Sequence, residues 1–397
     1  MFDVKTARTG THDASDSPPR RSASDRQSAR ARLTELFALA DIVIDGSRPW
    51  DPRVNDERFF DVVFAGSLAI GEAYMAGQWD VPQLDELVCR FRRARIEDHF
   101  KIGADGWRVI KARLANRQSP ARARDMGRRV YDGALDLFEA MLDPRMVYSC
   151  AYWKSAGDLA EAQEAKLDLA CRKLGLVRGM RVLDIGCGWG GFARYAAERY
   201  GAEVTGVTVS REQAAYARAR CQGLPVDIRF CDYRDVTGTF DRVHSAGMFE
   251  HVGPRNHRRF FEVVHRVLTD DGLMLLHTVG GNRSLTSVDA WIDTYIFPDS
   301  VMPSTAQIGR ALERLFVIED WHNFGPDYDK TLMAWWANFE RSYQRDPGLR
   351  ARYDQRFYRM WKFYLQACAG TFRARINHLW HFVLSKRGVR GGYEAVR

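Results

Sequence analysis

The chain has 397 residues, 46% of them hydrophobic, enough for two domains with packed cores, which excludes a mini-protein or a wholly disordered chain. No apolar run approaches the roughly 20 residues of a membrane-spanning helix, and no signal region follows Met1. The net charge of +8 and seven cysteines without disulfide or zinc-ligand spacing point to a reducing cytoplasm and to no metal site.

In chain order, residues 1–28 are rich in Ser, Arg, Asp and Pro and are expected to be a disordered tail. Leu33, Leu36, Phe37 and Ala40 then recur at helical spacing, Ile42 to Ile44 reads as a short strand, and further helical runs follow at Phe59 to Phe64, Leu84 to Phe91 and Trp107 to Leu114. Residues 29–117 are thus expected to form a small, mainly helical domain, ending in a linker at Gln118-Ser119-Pro120. Between Arg90 and Val130 lie 13 basic and four acidic residues, so this segment carries +9 and the remainder of the chain about −1. Such a stretch suits an anionic leaflet, where each near-surface cation contributes about 1 kcal/mol, or a solvated helix face. No nucleic-acid-binding module accompanies it, and no nucleic acid is expected as a partner.

From residue 118 to 397 the pattern becomes α/β. Strands are expected at Arg181–Ile185, Glu203–Thr208, Val226–Phe230, Phe240–Ser245 and Leu273–Thr278, with helices at Phe192–Tyr200, Glu212–Cys221 and Asn256–Leu268. This is an open parallel sheet wrapped by helices, whose ligands bind beyond the carboxyl ends of the strands. The first strand runs into Asp184-Ile185-Gly186-Cys187-Gly188-Trp189-Gly190-Gly191, where glycines allow a sharp turn and a close approach of ligand to backbone. By spacing alone the loop fits a dinucleotide or S-adenosyl-L-methionine (AdoMet). Asp184, two residues before the first glycine, favours AdoMet, and so does a second strand ending in Thr208 where a dinucleotide site expects Asp or Glu.

Several blocks together resemble the bacterial cyclopropane-fatty-acyl-phospholipid synthase family. They are Tyr148 to Trp153, Val182 to Gly191, Gly206 to Ser210 with Gln213, Gly247-Met248-Phe249-Glu250-His251-Val252-Gly253, Leu276-His277-Thr278, Asp320 to Gly325 with Tyr328, and Ala367-Cys368-Ala369-Gly370. The resemblance runs from about Leu33 to the end and implies a class I AdoMet-methyltransferase Rossmann-like fold. It departs from the family at Val130-Tyr131-Asp132-Gly133-Ala134-Leu135-Asp136, where a His and a Gly-Asn pair are replaced.

What the resemblance implies is methyl transfer from AdoMet to a cis double bond of a phospholipid acyl chain, then proton loss to a bound bicarbonate and ring closure. An alkene offers no proton to a base, so the reaction depends on alignment, and its carbocation must be kept from water in an apolar, aromatic-lined slot. By carry-over, AdoMet is held by Tyr148, Ser149, the loop Asp184 to Gly191, Thr208, Gln213, Asp232 and Tyr233, and bicarbonate by Cys150, Glu250, His277, the backbone at Val279, and Tyr328. Cys368 matches a cysteine of the family's site, although direct methyl transfer needs no covalent enzyme intermediate. The implied setting is cytoplasmic: a homodimer peripheral to the inner membrane face, acting on unsaturated phospholipid. Two alternatives stay open on sequence, a methyltransferase leaving a methyl-branched or methylene fatty acid, and a non-enzymatic basic lipid-binding protein.

Overall fold

A computed structural model describes residues 22–99 and 133–397. Most of the basic segment, the run Trp107 to Leu114, the linker at Gln118 and the altered residues Val130 to Asp132 lie outside the described residues. The expected tail ends earlier than its composition suggests. Helix α1 (Ala23–Ala38) starts directly after Ser22, whose hydroxyl accepts the Asp25 N–H while Asp25 accepts the Ser22 N–H, both at 3.2 Å. This reciprocal cap satisfies two otherwise orphaned donors. Arg26 then pins the first turn through two 2.8 Å bonds to Asp61.

The strand expected at Ile42 to Ile44 does not form. Asp41 and Asp45 bracket it with positive φ of 52° and 57°, and the Asp51 carboxylate accepts the Val43 N–H at 2.8 Å, taking a donor that a ladder would need. The strands of this region are instead β1 (Arg53–Val54), which pairs antiparallel with β2 (Trp79–Asp80). Between them lie α2 (Phe59–Val62) and α3 (Ser67–Met75), and α4 (Leu84–Arg93) follows. Leu33, Phe37, Phe59, Phe60, Trp79 and Leu84 form their common core.

After α5 (Leu135–Met141) and α6 (Leu159–Lys173), the chain alternates β3 (Arg181–Ile185), α7 (Gly191–Tyr200), β4 (Glu203–Thr208), α8 (Arg211–Arg220), β5 (Val226–Phe230), β6 (Phe240–Ala246), α9 (His257–Val267) and β7 (Leu268–Gly281). Then come α10 (Ala290–Tyr295), α11 (Thr305–Leu312), β8 (Val317–Asn323), α12 (Pro326–Arg345), α13 (Pro347–Arg352), α14 (Gln355–Arg373) and β9 (Asn377–Ser385). The seven strands are ordered β5-β4-β3-β6-β7-β9-β8. The five expected strands are mutually parallel, whereas β9 runs antiparallel to both β7 and β8. The sheet is therefore mixed. Strand order reverses between β3 and β6, which opens a crevice above their carboxyl ends.

The small N-terminal unit seats on α14. Phe363 and Ala367 of that helix pack against its core, and a Cβ on Gly370 would stand 2.2 Å from the Asp85 carbonyl oxygen, so only glycine permits this approach of α4 to α14. Arg373 reaches Asp85 at 2.7 Å, Glu86 at 3.2 Å and Asp329 at 2.9 Å, and Arg359 donates to the Tyr74 and Trp79 carbonyls.

Candidate active site

A cavity of about 170 Å³ occupies the crevice above β3, β4 and β6. Tyr148, Ser149, Asp184, Ile185, Gly186, Cys187, Gly188, Trp189, Gly191, Thr208, Gln213, Asp232 and Tyr233 all line it. Gly190 does not. It caps α7 at φ 85°, and a Cβ there would meet the Ala217 side chain at 2.9 Å, so it serves the packing of α7 on α8. The loop turns tightly, with Gly186 at φ 79° and any Cβ there 2.8 Å from Met248.

Buried polar atoms mark where a ligand is needed. Asp184 engages His244 Nδ1 through Oδ1 at 2.7 Å, while its Oδ2 is buried without a partner. His244 is itself stacked on Phe192, centroids 3.7 Å apart. The Thr208 hydroxyl donates to Gln213 Oε1 at 2.9 Å, which leaves the Gln213 amide hydrogens for a ligand. Asp232 lines the cavity, yet its carboxylate is held by the Arg234 guanidinium at 2.5 and 2.8 Å and accepts the Arg234 N–H at 3.0 Å. It is first a cap for the turn Tyr233–Asp235.

A second, larger and mainly apolar cavity of about 400 Å³ adjoins the first. Tyr148, Gly247 and His251 belong to the walls of both. Glu250, Val279, Tyr328 and Cys368 line the apolar side. Glu250 Oε1 accepts the Val279 N–H at 2.6 Å, and Oε2 is buried with no hydrogen-bond partner. Burial pushes the Glu250 carboxyl up to about 7, against the opposing effect of the Val279 N–H bond. Two expectations change here. The Val279 N–H is spent on orienting Glu250 and is not free for an anion. Cys150 is buried, lines neither cavity, and directs its thiol to the Ala151 carbonyl at 3.2 Å, though it packs beside Val279 and Tyr328.

His277 also sits behind the cavity wall, on the same face of β7 as Val279. Its Nδ1 lies 2.8 Å from His381 Nε2, and its Nε2 is buried without a partner. Burial holds both imidazoles well below the ordinary range, so the pair is neutral. The Tyr328 phenol is pushed well above its usual value by burial, and the Cys368 thiol up to about 12 by the same cause, so Cys368 is no thiolate at neutral pH.

Sequence reading missed three polar neighbours. Lys166 is buried in the cofactor wall, donates to Ser149 Oγ at 2.9 Å, and is lowered to about 8 by burial, against Asp143, Cys150 and Asp184. His251 stands between the two cavities, lowered to about 4 by burial. His381 backs His277. The signal for Lys166 was available: it falls at helical spacing on the inward face of α6 with Leu159, Ala162 and Ala170. Among the described residues no group of His, Cys, Asp or Glu is arranged to hold a metal ion, and no helix is long and apolar enough to cross a membrane.

Comparison with known proteins agrees with this geometry. A family profile, mycolic acid cyclopropane synthetase, matches residues 118–382. Over 368 residues, 91% of the chain and 94% of the relative, the sequence is 50% identical to cyclopropane-fatty-acyl-phospholipid synthase of Escherichia coli K12. It is 32% identical to a probable fatty acid methyltransferase of Pseudomonas putida over 82% of the chain and 88% of the relative. Among solved structures, a cyclopropane synthase of Mycobacterium tuberculosis superposes with a TM-score of 0.62 at 31% identity, covering 66% of this chain and 98% of that one. A mycolic acid cyclopropane synthase complexed with SAH and CTAB superposes at 0.61 with 32% identity and the same coverage. With half of all aligned positions identical over 91% of its length to a bacterial synthase, and a family profile matched across residues 118–382, the chain belongs to the cyclopropane synthase family of AdoMet-dependent methyltransferases.

Proposed function

We infer that the enzyme transfers the AdoMet methyl to the cis double bond of an unsaturated phospholipid acyl chain and closes a cyclopropane ring. One observation carries this reading: a polar cofactor cleft and a long apolar slot share the walls Tyr148, Gly247 and His251. A polar donor and a hydrocarbon acceptor can meet only there.

AdoMet fits the residues of the cleft. The unpartnered Asp184 Oδ2 sits in a wall whose turned glycine loop leaves no room for a side chain at Gly186, and the Gln213 amide faces the same space. When bound, AdoMet supplies an electrophilic methyl. The chain's part is to orient and to exclude water. Tyr148, Phe297, Tyr328 and Tyr364 present rings along the slot, and aromatic faces stabilise a carbocation without trapping it. The phenols stay neutral because burial raises Tyr328 and Tyr364 well above their usual range.

Bicarbonate fits the apolar side. When bound, it supplies a weak base for the proton lost on ring closure. Glu250 Oε2 would accept its hydroxyl hydrogen and the Tyr328 hydroxyl would donate to an oxygen, while His277, behind the wall beside Val279, is the further donor that the family resemblance implies. Glu250 Oε2, buried without a partner in the slot wall, is an acceptor that a ligand hydroxyl would satisfy. A homodimer resting on an anionic leaflet through the basic segment is part of the same proposal.

The deciding experiment is incubation of the protein with AdoMet, bicarbonate and monounsaturated phosphatidylglycerol vesicles, followed by fatty-acid mass spectrometry and proton NMR. Gain of one CH2 with loss of the olefinic signal is expected. Gain of CH2 with that signal retained would replace ring closure by simple methylation, and no gain would end the reading.

A further inference from the structure

The apolar slot does not end in the methyltransferase fold. Beyond Tyr364 and Cys368 its wall passes to Phe363 and Ala367 on the same helix, α14, and then to Phe37 of α1, Trp79 of β2, and Val88 and Phe91 of α4. These last four precede residue 118, where the match to the family profile begins, so this part of the wall lies outside the region that the profile covers. It is also firmly seated. The Arg373 ion pairs, the Arg359 bonds to backbone and the close approach at Gly370 fix the N-terminal unit against α14.

We propose that the N-terminal unit is the tail subsite of the enzyme. It receives the methylenes between the double bond and the terminal methyl, and its far wall selects which double-bond positions are accepted. The proposal rests on the acyl-methylation reading given above. The walls shared with the cofactor cleft fix where the double bond must lie. A phospholipid head group carries charge and cannot enter an apolar slot without a large desolvation cost, so the terminal methyl leads and the tail occupies the deep end. A rigid apolar wall discriminates sterically, and one misplaced methylene in such a pocket changes rates on the order of tenfold.

The test uses the full chain and mixed vesicles of oleoyl and cis-vaccenoyl phosphatidylglycerol. These isomers have equal length, and the oleoyl double bond leaves the longer tail. Ala367→Phe fills the slot beyond the reacting centre and is expected to shift the ratio of ring products toward cis-vaccenoyl on the order of tenfold. Phe91→Ala enlarges the deep end and is expected to shift the ratio toward oleoyl. Equal loss on both isomers at an unchanged melting midpoint, or an unchanged ratio in both variants, overturns the proposal. If one variant melts early, the other decides. If wild-type protein forms rings on neither isomer, the activity reading fails on its own. The tail subsite is then read from Trp79, whose emission is isolated as wild type minus Trp79→Phe. Quenching by phospholipid brominated near the terminal methyl sustains the subsite, and no quenching overturns it.

Discussion

Glu250 sits where two demands conflict: its Oε1 is committed to the Val279 N–H while its Oε2 is buried and unpaired. Glu250→Gln keeps the shape and the Val279 bond but offers an amide in place of an acceptor. Ring formation is expected to fall by about a hundredfold or more, with AdoMet affinity by calorimetry unchanged. The same residue sets a pH signature. Its carboxyl rises from 4.5 to about 7 in the folded protein, so between those values the native state keeps a proton that the unfolded chain has lost. Its contribution to stability therefore falls as pH rises through that window. His251 and His257, lowered from 6.5 to about 4 by burial, act in the opposite sense, stabilising as pH rises from about 4 to 6.5. Without bicarbonate, urea melts of wild type and Glu250→Gln should diverge across roughly pH 4.5 to 7, by at most about 1.4 kcal/mol per pH unit. Parallel curves would show that Glu250 does not titrate there. Cys368→Ala should retain ring formation within about an order of magnitude, whereas removing a true nucleophile costs on the order of a millionfold. That Glu250 and Tyr328 would meet at one wall could be expected only through the resemblance carried by the unusual blocks around them, since a lone Glu after a strand reads equally well as a helix cap. That Glu250 would claim the Val279 N–H was not legible, because it depends on how the turn after β6 meets β7.

At the scale of elements, the turn between β3 and α7 concentrates the geometry of the cofactor cleft. Gly186→Ala places a side chain at φ 79° and 2.8 Å from Met248. A left-handed non-glycine residue alone costs about 1–2 kcal/mol, so the melting midpoint and the calorimetric AdoMet affinity should both fall. If both stayed at wild-type values, the turn would not be as tight as described. The five parallel strands were readable because each is a short apolar run followed by turn residues and an amphipathic helix. Strands β8 and β9 escaped notice. Strand β9 lies inside the sheet between two neighbours, and its run Leu379 to Leu384 is buried throughout, so it lacks the alternation that advertises a half-exposed strand. The helix α1 was legible as a helix, but its start was obscured by a polar first turn whose Ser22 to Asp25 spacing is the capping signal.

Taken whole, the molecule joins a common catalytic sheet to an N-terminal unit whose helical character shows in the sequence and whose second role does not. Apolar positions such as Phe37 and Val88 have the same periodicity whether they face a filled core or an open slot. The charge distribution also belongs to this scale. Vesicle binding should weaken steeply as salt rises if the basic segment supplies the attraction, measured by flotation with phosphatidylglycerol vesicles; salt-insensitive binding would assign the contact elsewhere. Finally, β9 inserts between β7 and β8 although it follows both in the chain, and it carries the His381 that meets His277. During translation β7 must wait, one side unpaired, for more than a hundred residues of later sequence to emerge. An open apolar strand edge is a template for aggregation, so nascent or prematurely terminated chains are natural clients for chaperones. The histidine pair forms only once β9 has been inserted, so the setting of His277 depends on a strand made long after its own.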